Sequence, residues 1–69
     1  MTDRDLYKRA IATWGREAQI EILEEECAEL IAALIHWKRG RSKAHAVIEE
    51  IADVEIMIEQ ARVMFGDSS

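Results

Sequence analysis

Two short runs of carboxylates, Glu25-Glu26-Cys27-Ala28-Glu29 and Glu50-Ile51-Ala52-Asp53, stand inside the otherwise apolar stretches EEECAELIAAL and VIEEIADVEIMI. Carboxylates are hard, anionic oxygen donors, and four of them, Glu26, Glu29, Glu50 and Asp53, would suit Mg²⁺ or Mn²⁺, which favour all-oxygen octahedral shells. Softer ligation does not fit, because Cys27 is the single cysteine and His36 and His45 are too far apart for a zinc spacing. Glutamate-rich helices are common, so either run alone says little. Their combination is what points to a cation site.

For that chemistry the two runs must lie on helices that face each other. With no proline, three glycines and 49% apolar residues, the composition favours long helices, and an all-α fold is expected. A first helix starts at Thr2 or Asp3 as N-cap, carries Leu6, Ala10 and Ile11 on one side, and ends near Trp14-Gly15. The second runs from about Arg16 to Trp37 and the third from about Ser42 to Phe65, with Gly66 as its stop before the polar tail DSS. The connector KRGRSK is short and carries a glycine, so the long helices should fold back as an antiparallel hairpin.

At ~100° per residue, Ile20, Leu23, Cys27, Ile31 and Leu34 share one stripe of the second helix, which is expected to be core. Ile22, Glu26, Glu29 and Ala33 share another strip, with Glu25 beside Glu29 and with Leu30 and Trp37 along its other border, while Glu21 and Glu24 point elsewhere. On the third helix Val47, Glu50, Val54, Met57, Ile58 and Ala61 form a broad apolar face with Asp53 at its edge. Glu55, Glu59 and Arg62 cluster on the opposite, solvated side. Inward carboxylates must be neutralised by a proton, a base or a metal. No Lys or Arg lies within either strip, which favours the metal.

The chain is one domain of 69 residues, too short to build a large core alone, so association is expected. Pairing with a second copy would complete a four-helix bundle, as a homodimer or a dimer of dimers. Ile48, Ile56 and Val63 lie off the main face of the third helix and would otherwise be wet. The net charge of −5 works against binding of a nucleic-acid polymer. The lone cysteine, the absence of a membrane-length apolar run and the absence of a signal-peptide pattern lead to the expectation of a cytoplasmic protein that does not enter membranes.

Taken together, EExxE at residues 25–29, a 20-residue spacer and ExxD at residues 50–53 resemble the signature of the MazG-like nucleoside triphosphate pyrophosphohydrolases, within the all-α NTP pyrophosphatase superfamily. The surroundings EECAELIAAL and EEIADVEIMIEQ, and the upstream TWGREAQ with Trp14, Gly15 and Gln19, are similar to small phage and bacterial members. The resemblance implies hydrolysis of a nucleoside triphosphate between the α and β phosphates, to a monophosphate and pyrophosphate, with Mg²⁺ held by Glu26, Glu29, Glu50 and Asp53. Glu25 matches the remaining motif acid, which would orient or deprotonate the attacking water. Other substrates of the superfamily, such as phosphoribosyl-ATP, and a non-catalytic helical oligomerisation module with structural carboxylates are the alternatives. Many relatives continue past the ExxD helix into a segment whose Lys, Asn or Arg contacts the phosphates. Here the basic loop or a neighbouring subunit would supply those contacts, or the chain is a minimal, weakly catalytic member.

The loop residues Lys38, Arg39, Arg41 and Lys43 are four of the nine basic residues. They could grip the outer phosphates, or Lys38 and Arg39 could simply complement the C-terminal dipole of the second helix. Trp14 and Trp37 could stack on a nucleobase, although a Trp at helical spacing is more often core or interface. Gln19 is either a hydrogen-bonding partner for the base or a plain surface amide. His36, near a helix end, is expected to be exposed rather than catalytic.

Overall fold

The structure, a computed structural model, describes residues 3–66; Thr2 and the DSS tail of the sequence lie outside the described residues. Three helices make up the described chain, α1 (Asp3–Trp14), α2 (Arg16–Lys38) and α3 (Ala44–Gly66). The all-helical expectation therefore holds, and the boundaries fall within about two residues of those predicted, the ordinary uncertainty of helix ends. None of the helices is long and apolar enough to cross a membrane.

Glycine conformation explains both breaks. Gly15 has φ +88°, which ends α1 without the penalty a side chain would incur. Its N–H donates to the Ile11 carbonyl at 2.9 Å, and its own carbonyl accepts from the Gln19 N–H at 3.2 Å. One residue thus closes α1 and opens α2, and Gly15 serves as the N-cap of α2 without a side-chain cap. At the other end of α2, Gly40 takes φ +71°. The Arg41 N–H reaches the His36 carbonyl at 2.8 Å and the Gly40 N–H reaches the Trp37 carbonyl at 3.0 Å, the paired bonds of a Schellman motif. That left-handed step reverses the chain and returns α3 along α2.

The seam between α2 and α3 has a seven-residue rhythm. On α2 it contains Gln19, Leu23, Glu26, Leu30 and Ala33, and on α3 Val47, Glu50, Val54, Met57, Ala61 and Met64, all buried or half-buried. Alternating steps of three and four keep one stripe of each helix facing its neighbour. α1 lies across the end of the hairpin remote from its loop, where Tyr7, Ala10 and Ile11 are half-buried. Among the described residues the apolar side chains that become buried are Val54, Met57, Val63 and Met64, all near that end.

Several expectations about the core need correction. Ile31 and Leu34 were expected in the core stripe of α2, yet they are 59% and 43% exposed. Ile20, Leu23 and Cys27 of that stripe are half-buried, and beyond Leu23 the seam runs through Glu26, Leu30 and Ala33 beside it. Ile58, expected on the apolar face of α3, is likewise exposed, and so is Leu6 on α1. Val63 was expected to be wet and is buried instead, because α1 packs over it; Lys8, Ile11, Ala12 and Arg16 border the hollow beside it. Ile48 and Ile56 are exposed, as expected.

Candidate functional site

Glu26 and Glu50 enter the seam because they occupy the inner register of their helices, at the step where the seven-residue rhythm calls for an apolar residue. Glu29, three residues beyond Glu26, sits on the rim. One carboxylate oxygen from each of Glu26, Glu29 and Glu50 lies within 4.8 Å of the other two. Two helices therefore bring three carboxylates to one point. Glu26 and Glu50 are half-buried and Glu29 is exposed.

Two oxygens within this group, Oε2 of Glu26 and Oε2 of Glu50, are buried and have no hydrogen-bond partner among the described residues. An anionic oxygen in that condition is costly, and folded proteins normally satisfy it. The effect on protonation is direct. Glu26 is held above its ordinary value of 4.5, first by desolvation and then by the charges of Glu29, Asp53 and Glu50. Glu50 is raised in the same way, by desolvation first and then by Glu29 and Asp53. The leading influences on both groups, a side-chain hydrogen bond with Glu29 among them, all act upward.

Asp53 is exposed and falls outside the group of three, although its charge is felt at both Glu26 and Glu50. Glu25 is exposed on α2, away from the seam. Among the predicted acids, the structure thus gathers Glu26, Glu29 and Glu50, sets Asp53 at their edge and leaves Glu25 facing solvent.

A divalent cation fits what is present. The donors are hard oxygens, carboxylates carry negative charge when ionised, and two of the group's oxygens lack a hydrogen-bond partner among the described residues. Glu26, Glu29 and Glu50 are the residues able to hold such an ion, with Asp53 adjacent.

The remaining predicted residues fall into two groups. Lys38, Arg39 and Arg41 are all exposed, at the loop end of the hairpin. Lys38 is nine residues beyond Glu29, a rise of ~13.5 Å along α2, so these bases flank the carboxylates without joining them. His36 is exposed, as expected. Trp14 and Gln19 lie toward the opposite end. Trp14 is 69% exposed, and Gln19 is 4% exposed, which rules out the surface-amide reading. Both border a cleft between α1 and α2, with Ala10, Ala18 and Ile22.

Gln60, which sequence reasoning passed over, is also 4% exposed, and its Oε1 is buried with no hydrogen-bond partner among the described residues. The seven-residue rhythm was the signal available for Gln19, since it stands two turns before Glu26 in the same register. Comparison of the chain with protein-family models, with curated proteins and with solved structures gives no match.

Proposed function

We propose that this chain is a divalent-cation-dependent nucleoside triphosphate pyrophosphohydrolase of the MazG-like kind, hydrolysing an NTP or dNTP between the α and β phosphates. The observation that carries this reading is the meeting of three carboxylates from two helices, two of whose oxygens are buried with no hydrogen-bond partner among the described residues. A bound Mg²⁺, or Mn²⁺ in its place, would offset the charge of the triphosphate, polarise the phosphorus centre and lower the pKa of an attached water.

The chain's own residues have distinct tasks in this scheme. Glu26 and Glu50, half-buried in the seam, would hold the cation. Glu29 and Asp53, more exposed, would add further carboxylate oxygens. Glu25, on the solvent side of α2, orients the attacking water and takes its proton. Lys38, Arg39 and Arg41 meet the outer phosphates, where exposed and flexible bases can follow a leaving pyrophosphate. Trp14 and Gln19 are left for the nucleoside.

Assembly belongs to the same proposal. Ile31 and Leu34 are exposed, and Ile31 lies ~160° around α2 from Glu29. A second copy covering that flank would complete a four-helix bundle and leave the carboxylates open to substrate, as a homodimer or a dimer of dimers. The same exposed flank favours a second reading, a non-catalytic oligomerisation module. The experiment that separates them is pyrophosphate release from a panel of NTPs, dNTPs and phosphoribosyl-ATP, with Mg²⁺, Mn²⁺ or EDTA. Release that requires the metal and vanishes in Glu50→Gln supports the enzyme. No product from any triphosphate, together with no shift of melting temperature on adding either metal, rejects it.

A further inference from the structure

Charge is sorted along this chain. From Leu30 to Ile48 the sequence holds four of the nine basic residues and none of the 14 acids, in a protein whose net charge is −5. That stretch forms the end of α2, the loop and the start of α3, so the loop end of the hairpin is a cationic cap on an otherwise acidic molecule. Its bases, Lys38, Arg39, Arg41 and Lys43, are all exposed.

The same end keeps large apolar side chains in water. Trp37 is 51% exposed and Ile48 62%. With Leu34, Ala44 and Val47 they line a hollow of about 190 Å³ between the end of α2 and the start of α3. The lining is free of charged, hydroxyl and amide side chains, and the volume lies below the ~300–1,000 Å³ of small-molecule sites. It suits one large apolar side chain rather than a cofactor. Lys38 stands one turn beyond Leu34 and Lys43 immediately precedes Ala44, so the bases border the hollow without lining it.

Shape and charge together select the occupant. A groove between two antiparallel helices accepts the side-chain ridge of a third helix. At the remote end of the hairpin α1 fills that role, covering Val63, whereas among the described residues no element covers the loop end. A bilayer presents no protruding side chain to a concave surface, and an apolar lining gives a base edge little to pair with. An amphipathic helix supplies what both features require, an apolar anchor for the hollow and carboxylates on adjacent turns for the rim.

We propose that the loop end of the hairpin is a docking face for an acidic amphipathic helix of another protein, with one apolar side chain in the hollow and flanking carboxylates on Lys38, Arg39, Arg41 and Lys43. The interaction needs neither metal nor phosphate, so it stands apart from the nucleotide reading. Three of these bases are those assigned above to the outer phosphates, and a docked helix therefore competes with a triphosphate for them.

The probe is a capped synthetic helix of about 18 residues, long enough to be helical in solution, with leucine along one face and glutamate around the rest. It is titrated against the full chain in EDTA, in a Trp14→Phe background so that indole emission reports Trp37 alone. Binding should shift that emission to the blue, and raising salt from ~50 mM to ~500 mM should weaken it about tenfold. Ile48→Asp, at an exposed position, should abolish the shift, and Lys43→Glu should weaken binding about tenfold.

No shift with the helix overturns the proposal. So does an equal response to the same helix with glutamine in place of glutamate, which would reduce the face to a nonspecific apolar patch. A blue shift with phosphatidylglycerol vesicles and none with the helix would assign the face to lipid instead. Association of the chain alone, seen by sedimentation and removed by Ile48→Asp, would assign it to a second copy. Each of these outcomes rejects the docking face while leaving the pyrophosphate assay to decide the enzyme reading by itself.

Discussion

The two ends of the α2–α3 hairpin draw on similar residues and bury them very differently. Where α1 lies across, Gln19, Val54, Met57, Gln60, Val63 and Met64 all reach burial. Toward the loop, Leu34, Ile35, Trp37 and Ile48 remain between 37% and 62% exposed. Two helices share a single seam, so apolar residues off that seam stay wet until a third element covers them. The carboxylate group stands between these regimes, at a depth that desolvates Glu26 and Glu50 while leaving Glu29 on the surface.

The sharpest way to break this comparison is to truncate one side chain at each end. Met57→Ala should cost ~2–5 kcal/mol, lowering the melting temperature by ~10 °C or more in a domain of this size. Ile48→Ala should stay within ~0.5 kcal/mol in the isolated chain, as surface substitutions do. Equal losses, measured by thermal denaturation below and above the concentration at which copies associate, would mean that the loop end is covered in solution.

Next in size is the chemistry between the ends. Glu50→Gln should reduce metal-dependent pyrophosphate release by more than ~100-fold, since even outer residues of metal sites cost 10–100-fold. The same variant should melt no lower than the parent in EDTA, because it removes a repelled charge. A lower metal-free melting temperature would show that the acid is structural.

A smaller effect concerns pH. The folded chain holds protons on Glu26 and Glu50 above the ordinary value of 4.5, so these groups contribute stability fully below about that pH and lose it as pH rises through their raised values. Melting in EDTA should therefore fall from pH 4.5 toward neutrality, by more than in the double variant Glu26→Gln/Glu50→Gln. Excess Mg²⁺ should offset the fall at neutral pH. Identical pH slopes for parent and double variant would contradict the account of the seam.

The smallest effect belongs to the loop. Nothing lies within 4 Å of where a Cβ would stand on Gly40, so Gly40→Ala should cost only the left-handed backbone penalty of ~1–2 kcal/mol. A larger loss in denaturant titration would reveal a contact there that the geometry does not contain.

Helix boundaries and the inward turn of Glu26 and Glu50 were legible in the sequence because both rest on local periodicity. The choice of stripe on α2 was not. Apolar residues are spread around that helix, and periodicity shows that Ile31 and Leu34 form a face without showing whether that face meets α3 or something else. Val63 was misjudged for a related reason: its cover comes from α1, and no spacing within α3 reveals where a separate helix lies. Neither reading of Gln19, a partner for a base or a surface amide, anticipated its burial, because polarity was weighed above register. The bases Lys38, Arg39 and Arg41 were rightly placed at the loop, but sequence gives no distance to the acids.

The connection at residues 39–43 has a kinetic consequence. Its bend closes a very short stretch of chain, so little entropy is lost in bringing the two long helices together, and nearly all of the seam joins residues through that one turn. Helical topologies with such short sequence separations fold in microseconds to milliseconds. A thinly buried chain can therefore open often and still reclose before its exposed isoleucines meet those of another unfolded copy.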